Sequence, residues 1–163
     1  MSVWLAALGI YVVFLAWYYN WSGPLKEHEI ELLLQKYVGS PGARTTDIDV
    51  VKEFLRRDDG KEFFMQNFIR LKKGQIPHPV TGEETSASEL LARYSATFGK
   101  AIFKRAGHPV FMALKVGGFI DSWETNPDEK WHITSMMRYR SRREVFEVGC
   151  DPVFDDIHIF KTA

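Results

Sequence analysis

The chain holds five histidines and one cysteine, residue types often used for metal or nucleophilic chemistry. His28, His78, His108, His132 and His158 stand far apart. None falls in the HxxxH, HExxH or CxxCH spacing that aligns metal ligands or attaches a heme. No metal site and no cofactor is therefore expected. A lone cysteine, Cys150, excludes an internal disulfide framework, a thiolate zinc site and a CxxC redox pair. It has no basic neighbour in sequence to lower its pKa, so it reads as a packing residue. No Gly-rich phosphate loop and no paired-carboxylate signature appears. No catalytic residue is assigned.

Two groups are left as binding candidates. The first is a pocket group: Asn67, Trp131, His132 and Arg138. Asn67 and Arg138 could face a cavity between helices and sheet, or be satisfied polar residues at its mouth, because a buried amide must find partners. His132 beside Trp131 is the best candidate for a pocket histidine. The second group lies in Arg138-Tyr139-Arg140-Ser141-Arg142-Arg143, four arginines in six positions. Arg140, Arg142 and Arg143 could bind phosphate, an acidic partner or anionic headgroups. Alternatively, the run is a solvated turn paired with Glu144 and Glu147.

The elements that carry these residues divide sharply. The 163 residues suffice for one packed domain. Twenty-one basic residues balance 21 acidic ones, which argues against a nucleic-acid partner bound by bulk charge. Yet every Lys, Arg, Asp and Glu falls between Lys26 and Lys161.

Val3 to Trp21 (VWLAALGIYVVFLAWYYNW) is an uncharged run of 19 residues. A helix needs about 20 to cross a bilayer. Trp4, Leu8, Tyr11, Phe14, Trp17, Tyr18 and Trp21 are the expected lipid-facing and helix-packing residues, with Trp and Tyr at headgroup level. The run lacks the basic start and small-residue cleavage site of a signal peptide. Residues 1–23 are thus expected to be a single-pass anchor in a cell inner membrane. Lys26, Lys36, Arg44, Lys52, Arg56 and Arg57 favour a cytoplasmic C-terminal domain.

Residues 24–60 are expected to form a helical neck. Pro24 opens one helix, with Ile30, Leu33, Leu34 and Tyr37 at helical spacing. Val38 to Gly42 is a linker. Thr46 and Asp49 suggest a capping box for a second helix over 47–57.

Residues 61–163 form the main domain. The sequence predicts strands over 63–71, 109–120 and 131–139, the second bulged at Gly117-Gly118. Ser86/Glu89 and Ser141/Glu144 make capping boxes for helices starting at 87 and 142. Gly107 is expected to end the first of these. Lys72 to Thr85 is a polar loop and Asn126-Pro127-Asp128 a turn. In the third strand Trp131, Ile133, Ser135, Met137 and Tyr139 take one face, and His132, Thr134, Met136 and Arg138 the other. The order strand, helix, strand, strand, helix predicts an α+β, ferredoxin-like split βαβ domain.

Three segments carry a resemblance. FFMQNFIRLKKG, SELLARYSATF and MMRYRSRREVFEVGCDPVF are similar to segments of an uncharacterised bacterial branch of the dimeric α/β-barrel superfamily. HIFKTA resembles the segment that follows. The likeness covers about residues 60–163 and implies a homodimer with sheets face to face. The family pattern runs on into a fourth strand, so either the sheet has an unpaired edge or more chain follows Ala163. Relatives elsewhere in the superfamily include cofactor-independent monooxygenases and heme-degrading enzymes.

Two functions are expected. One is a non-catalytic accessory or structural subunit of a membrane protein complex, a respiratory or photosynthetic electron-transport complex being a plausible host. Its partners would be the lipid bilayer, other membrane subunits and a second copy through the sheet face, with no nucleic acid. The alternative is a membrane-anchored monooxygenase-type enzyme acting on a small apolar or aromatic compound, which requires a closed cavity lined by Asn67, Trp131 or His132.

Overall fold

The computed structural model describes residues 2–40, 43, 46–118 and 130–162. They form six α-helices, a three-stranded sheet and a separate two-stranded hairpin. The helices are α1 (Ser2–Tyr18), α2 (Glu27–Val38), α3 (Ile48–Arg56), α4 (Ala87–Phe103), α5 (Arg142–Gly149) and α6 (Asp155–Thr162). The strands are β1 (Phe63–Ile69), β2 (Gln75–Pro77), β3 (Glu84–Ser86), β4 (His108–Leu114) and β5 (Ile133–Tyr139).

Local chemistry sets most boundaries. The Ser86 hydroxyl accepts from the Glu89 N–H at 3.2 Å, and the Ser141 hydroxyl from the Glu144 N–H at 3.3 Å. At α3 the cap is Asp47, not Thr46, and its carboxylate accepts from the Asp49 N–H at 2.9 Å. Beyond α4 the left-handed residue is Ala106 (φ 58°), one position before the expected glycine stop. Gly107 is needed for another reason: a Cβ there would lie 2.2 Å from Ile102 Cγ2. The bulge in β4 falls between Pro109 and Phe111, because Pro109 has no N–H to give the ladder. Asn126-Pro127-Asp128 and part of the expected linker, Pro41 and Gly42, lie outside the described residues.

The sheet order is β1-β5-β4, with β5 antiparallel to both neighbours. One end of one face packs on the helices. There Phe63, Met65, Met137 and Tyr139 meet Phe98 and Ile102 of α4, Val148 of α5 and Phe154. A second cluster joins α2 and α3 through Ile30, Leu33, Tyr37, Val51 and Leu55, with Phe146 and Cys150 of α5 against it. The other sheet face carries Phe64, Phe68 and Phe111, each about half exposed at 52%, 52% and 53%.

Three expectations are corrected. The expected ferredoxin-like split βαβ domain is not confirmed: the described residues form six helices, a three-stranded antiparallel sheet and a separate two-stranded hairpin. The segment expected to lead on to a fourth strand folds as α6, whose Asp155 and Asp156 start a helix and whose Lys161 lies in its last turn, each complementing the dipole. The polar loop expected over 72–85 contains the β2–β3 hairpin instead, closed by His78. The His78 Nδ1 accepts from the Val80 and Thr81 N–H groups at 3.3 and 3.1 Å.

The single-pass anchor is the third correction, and the inner-membrane placement falls with it. Among the described residues no helix is long and apolar enough to cross a membrane. α1 has 17 residues, a rise of roughly 26 Å against about 30 Å of hydrocarbon. The carbonyls of its last two residues, Trp17 and Tyr18, accept from Arg140 and Arg138 of the domain. The aromatic residues expected at headgroup level are likewise partly spent on protein. Trp17 packs edge-on against Phe103 at 5.7 Å, and its indole N–H donates to the Lys104 carbonyl at 3.0 Å. Tyr18 stacks on His108 at 6.0 Å.

Candidate functional site

The four arginines of the basic run converge on the joint between the N-terminal segment and the sheet. Arg138 lies on β5, opposite Phe64 and His108 in register. Its side chain is only 2% exposed. It donates from Nε to Glu62 at 2.6 Å, from Nη1 to the Ala106 carbonyl at 2.8 Å and from Nη2 to the Tyr18 carbonyl at 3.1 Å. Its guanidinium also sits 3.7 Å from the Tyr18 ring centroid. Arg140 donates to the Trp17 carbonyl at 2.5 Å and forks onto Glu144, one turn into α5. The orphan carbonyls at the end of α1 are thus capped by two cations, where the helix dipole is negative.

The remaining two arginines continue the joint. Arg142 stacks over Phe54 at 4.6 Å and donates to the Phe54 carbonyl. It also lies 3.9 Å from Asp58 Oδ1, too far for a hydrogen bond. That oxygen has no hydrogen-bond partner, although Asp58 Oδ2 accepts from the Leu25 N–H at 2.8 Å. Arg143 grips Glu29 with two donors, at 3.2 and 3.1 Å. The Lys26 N–H, and after it Arg143, hold the Glu29 carboxyl below its ordinary range. Because the folded pKa is depressed, this contact stabilises the fold above the unfolded carboxyl's pKa and is lost as pH falls through the folded one.

Arg140, Arg142 and Arg143, the candidates for an external partner, are therefore engaged by the chain itself. Together with Arg138 they tie residues 138–143 to residues 17–29 and 54–58, and spacing could not reveal those links.

The pocket candidates do not come together. Arg138 is in the joint. Asn67 is half-buried on β1, opposite Ser135 on the face that meets the helices. Trp131 packs against Phe68 at 5.8 Å. His132 alone lines a cleft, an open one of about 430 Å³ shared with Arg70, Leu71, Lys72, Lys73 and Lys130. Its backbone is fixed on both sides: its N–H donates to the Ile69 carbonyl at 2.9 Å and its carbonyl accepts from Lys115 at 2.8 Å. The closed cavity required by the enzyme alternative is not among the described residues. The four cations around His132 were missed by motif reading. Lys72 and Lys73 sit in an unremarkable polar loop, and Lys130 is distant in sequence.

Cys150 is half-buried, and burial pushes its thiol up, partly offset by the Ser40 hydroxyl and Lys36. A raised pKa disfavours the thiolate that nucleophilic chemistry needs.

These features define a mixed α/β domain whose N-terminal apolar helix is clamped to one end of a small antiparallel sheet. No family model and no curated protein matches the chain. Two solved structures are similar to it. One is the methylated RPA0582 protein, at TM-score 0.59 and 24% identity, covering 72% of this chain and 83% of that one. The other is RPA0582, described as a protein of unknown function from Rhodopseudomonas palustris, at TM-score 0.57 and 24% identity, covering 72% and 85%. At this identity the likeness shows the fold alone. It replaces the expected membership of the dimeric α/β-barrel superfamily with an added transmembrane helix. The neighbours are uncharacterised, and no helix described here can span a bilayer.

Proposed function

We propose that this chain is a non-catalytic accessory subunit of a larger protein assembly, docking through α1. One observation carries this reading. α1 is uncharged and apolar around its whole circumference, none of its residues is buried, and its base is held by Arg138, Arg140 and Trp17. A helix so exposed gains little by packing on its own chain. Burying one Val, Leu, Ile or Phe side chain contributes about 1.5–3 kcal/mol, so a partner that encloses several of them binds firmly. With no charge on α1, its occupant is an apolar groove on a larger subunit.

The test leaves the clamp intact. Leu8→Glu with Tyr11→Glu changes the free part of α1 only. The unmodified chain, isolated from its native source, should carry one stoichiometric partner that cross-links to α1. The double variant should lose that partner while its melting temperature stays unchanged. A chain that isolates alone, or a partner indifferent to the two substitutions, refutes the reading.

The exposed sheet face favours a second contact, with another copy of the chain. Phe64 and Phe68 on β1 and Phe111 on β4, the two strands that flank β5, expose their rings on one sheet face, and exposed apolar patches mark interaction surfaces. Light scattering on a variant carrying the α1 substitutions should give twice the 18.8 kDa of one chain. Adding Phe68→Glu should reduce it to one chain, and a monomer before that substitution counts against the contact.

A further inference from the structure

The cleft around His132 has a chemistry unlike the rest of the surface. Arg70, Lys72, Lys73 and Lys130 line it, and no carboxylate among the described residues does. None of these four cations makes an ion pair or side-chain hydrogen bond among the described residues. The four arginines of the clamp, by contrast, all have partners. The cleft's four cations lie open on a concave surface of a chain whose net charge is zero. A cleft lined by one sign of charge focuses its field and concentrates the opposite ion.

His132 adds a directed donor. Its Nδ1 accepts from the Leu71 N–H at 3.0 Å, which puts the ring proton of the neutral imidazole on Nε2. The main-chain bonds on either side of His132 fix where that ring stands. Arg70 offers a planar fork suited to two oxygens at once, while the lysines act as mobile point charges.

We infer that this cleft binds a small soluble phosphorylated compound, with a phosphoryl group held by Arg70, Lys72, Lys73 and Lys130 and a hydrogen bond from His132. The ligand is compact and multiply charged, because the volume of about 430 Å³ suits a small molecule rather than a polymer. The site does not depend on the docking role of α1, which lies at the opposite end of β5.

Inorganic pyrophosphate, titrated calorimetrically into the full chain, tests this. Binding should be saturable and weaken as salt rises. Lys72→Gln with Lys73→Gln should lower affinity at least about ten-fold, the size expected for loss of two charge-assisted contacts. Lys61→Gln with Lys100→Gln removes the same charge elsewhere and should leave affinity unchanged. All four lysines are exposed, so folding is not at stake. No saturable binding at low salt, or equal weakening by the control pair, overturns the inference. Tighter binding to vesicles of anionic phospholipid than to pyrophosphate overturns the soluble-ligand assignment.

Discussion

Arg138→Ala is expected to destabilise the protein by about 3 kcal/mol, the lower part of the range for removing one partner of a buried ion pair. Three acceptors lose their donor together: the Glu62 carboxylate and the Tyr18 and Ala106 carbonyls. The Glu62 side chain is 38% exposed, so water recovers part of its loss. The two carbonyls have less recourse, and an unmet buried acceptor costs roughly 1–3 kcal/mol. Lysine should not rescue, since one ammonium cannot serve three acceptors that diverge around a planar fork. Glu62→Gln keeps an acceptor in place and should cost about 1 kcal/mol or less. Urea unfolding followed by tryptophan fluorescence measures all three variants. The Ala variant should also raise amide exchange across the last turn of α1, because its C-terminal cap is gone. Equal midpoints for Arg138→Ala and Glu62→Gln would show that the two carbonyl bonds contribute nothing.

That result bears on function through stiffness. A helix projecting from a domain transmits orientation only if its base is fixed. Here the base is fixed by two ring contacts, one indole bond and two guanidinium caps, all from residues more than 80 positions away in sequence.

The local signals were legible. The Ser86/Glu89 and Ser141/Glu144 boxes set two helix starts, and the period-two pattern over Ile133–Tyr139 gave both faces of β5. What could not be read was decided at long range. Nothing in WYYNW says that the carbonyls of Trp17 and Tyr18 are capped by Arg140 and Arg138, which belong to the turn after β5 and to β5 itself. An apolar run of 19 residues therefore looks like a bilayer span until its last turn is seen docked on protein. The same arginines looked like an external binding site because their acceptors, mostly main-chain carbonyls, carry no sequence signature. The cleft was invisible for the same reason: Arg70 and Lys130 meet only once β1 and β5 pair. The β2–β3 hairpin was too short to show a period, and α6 mixes apolar and charged residues at a spacing that fits either state.

The second large effect is expected at Gly60. Its φ is +75°, and a Cβ there would stand 2.5 Å from the Gly23 carbonyl carbon and 2.6 Å from the Pro24 nitrogen. Both obstacles are backbone, so no side chain can swing aside. Nor can Gly60 retreat freely, because its carbonyl accepts from Asn20 Nδ2 at 2.8 Å. Gly60→Ala must therefore bear the left-handed backbone cost of about 1–2 kcal/mol and also separate two packed chain segments. A total of about 3 kcal/mol or more follows. Gly82 separates the two causes: its φ is +74°, but no atom lies within 4 Å of its would-be Cβ. Gly82→Ala should show the backbone cost alone, about 1–2 kcal/mol. Thermal unfolding of the two variants side by side measures the difference. That difference is the contact between Gly60 and the turn leading out of α1. If the two midpoints coincide, the N-terminal segment is not seated against residue 60, and the joint between helix and domain is held by the arginines without it.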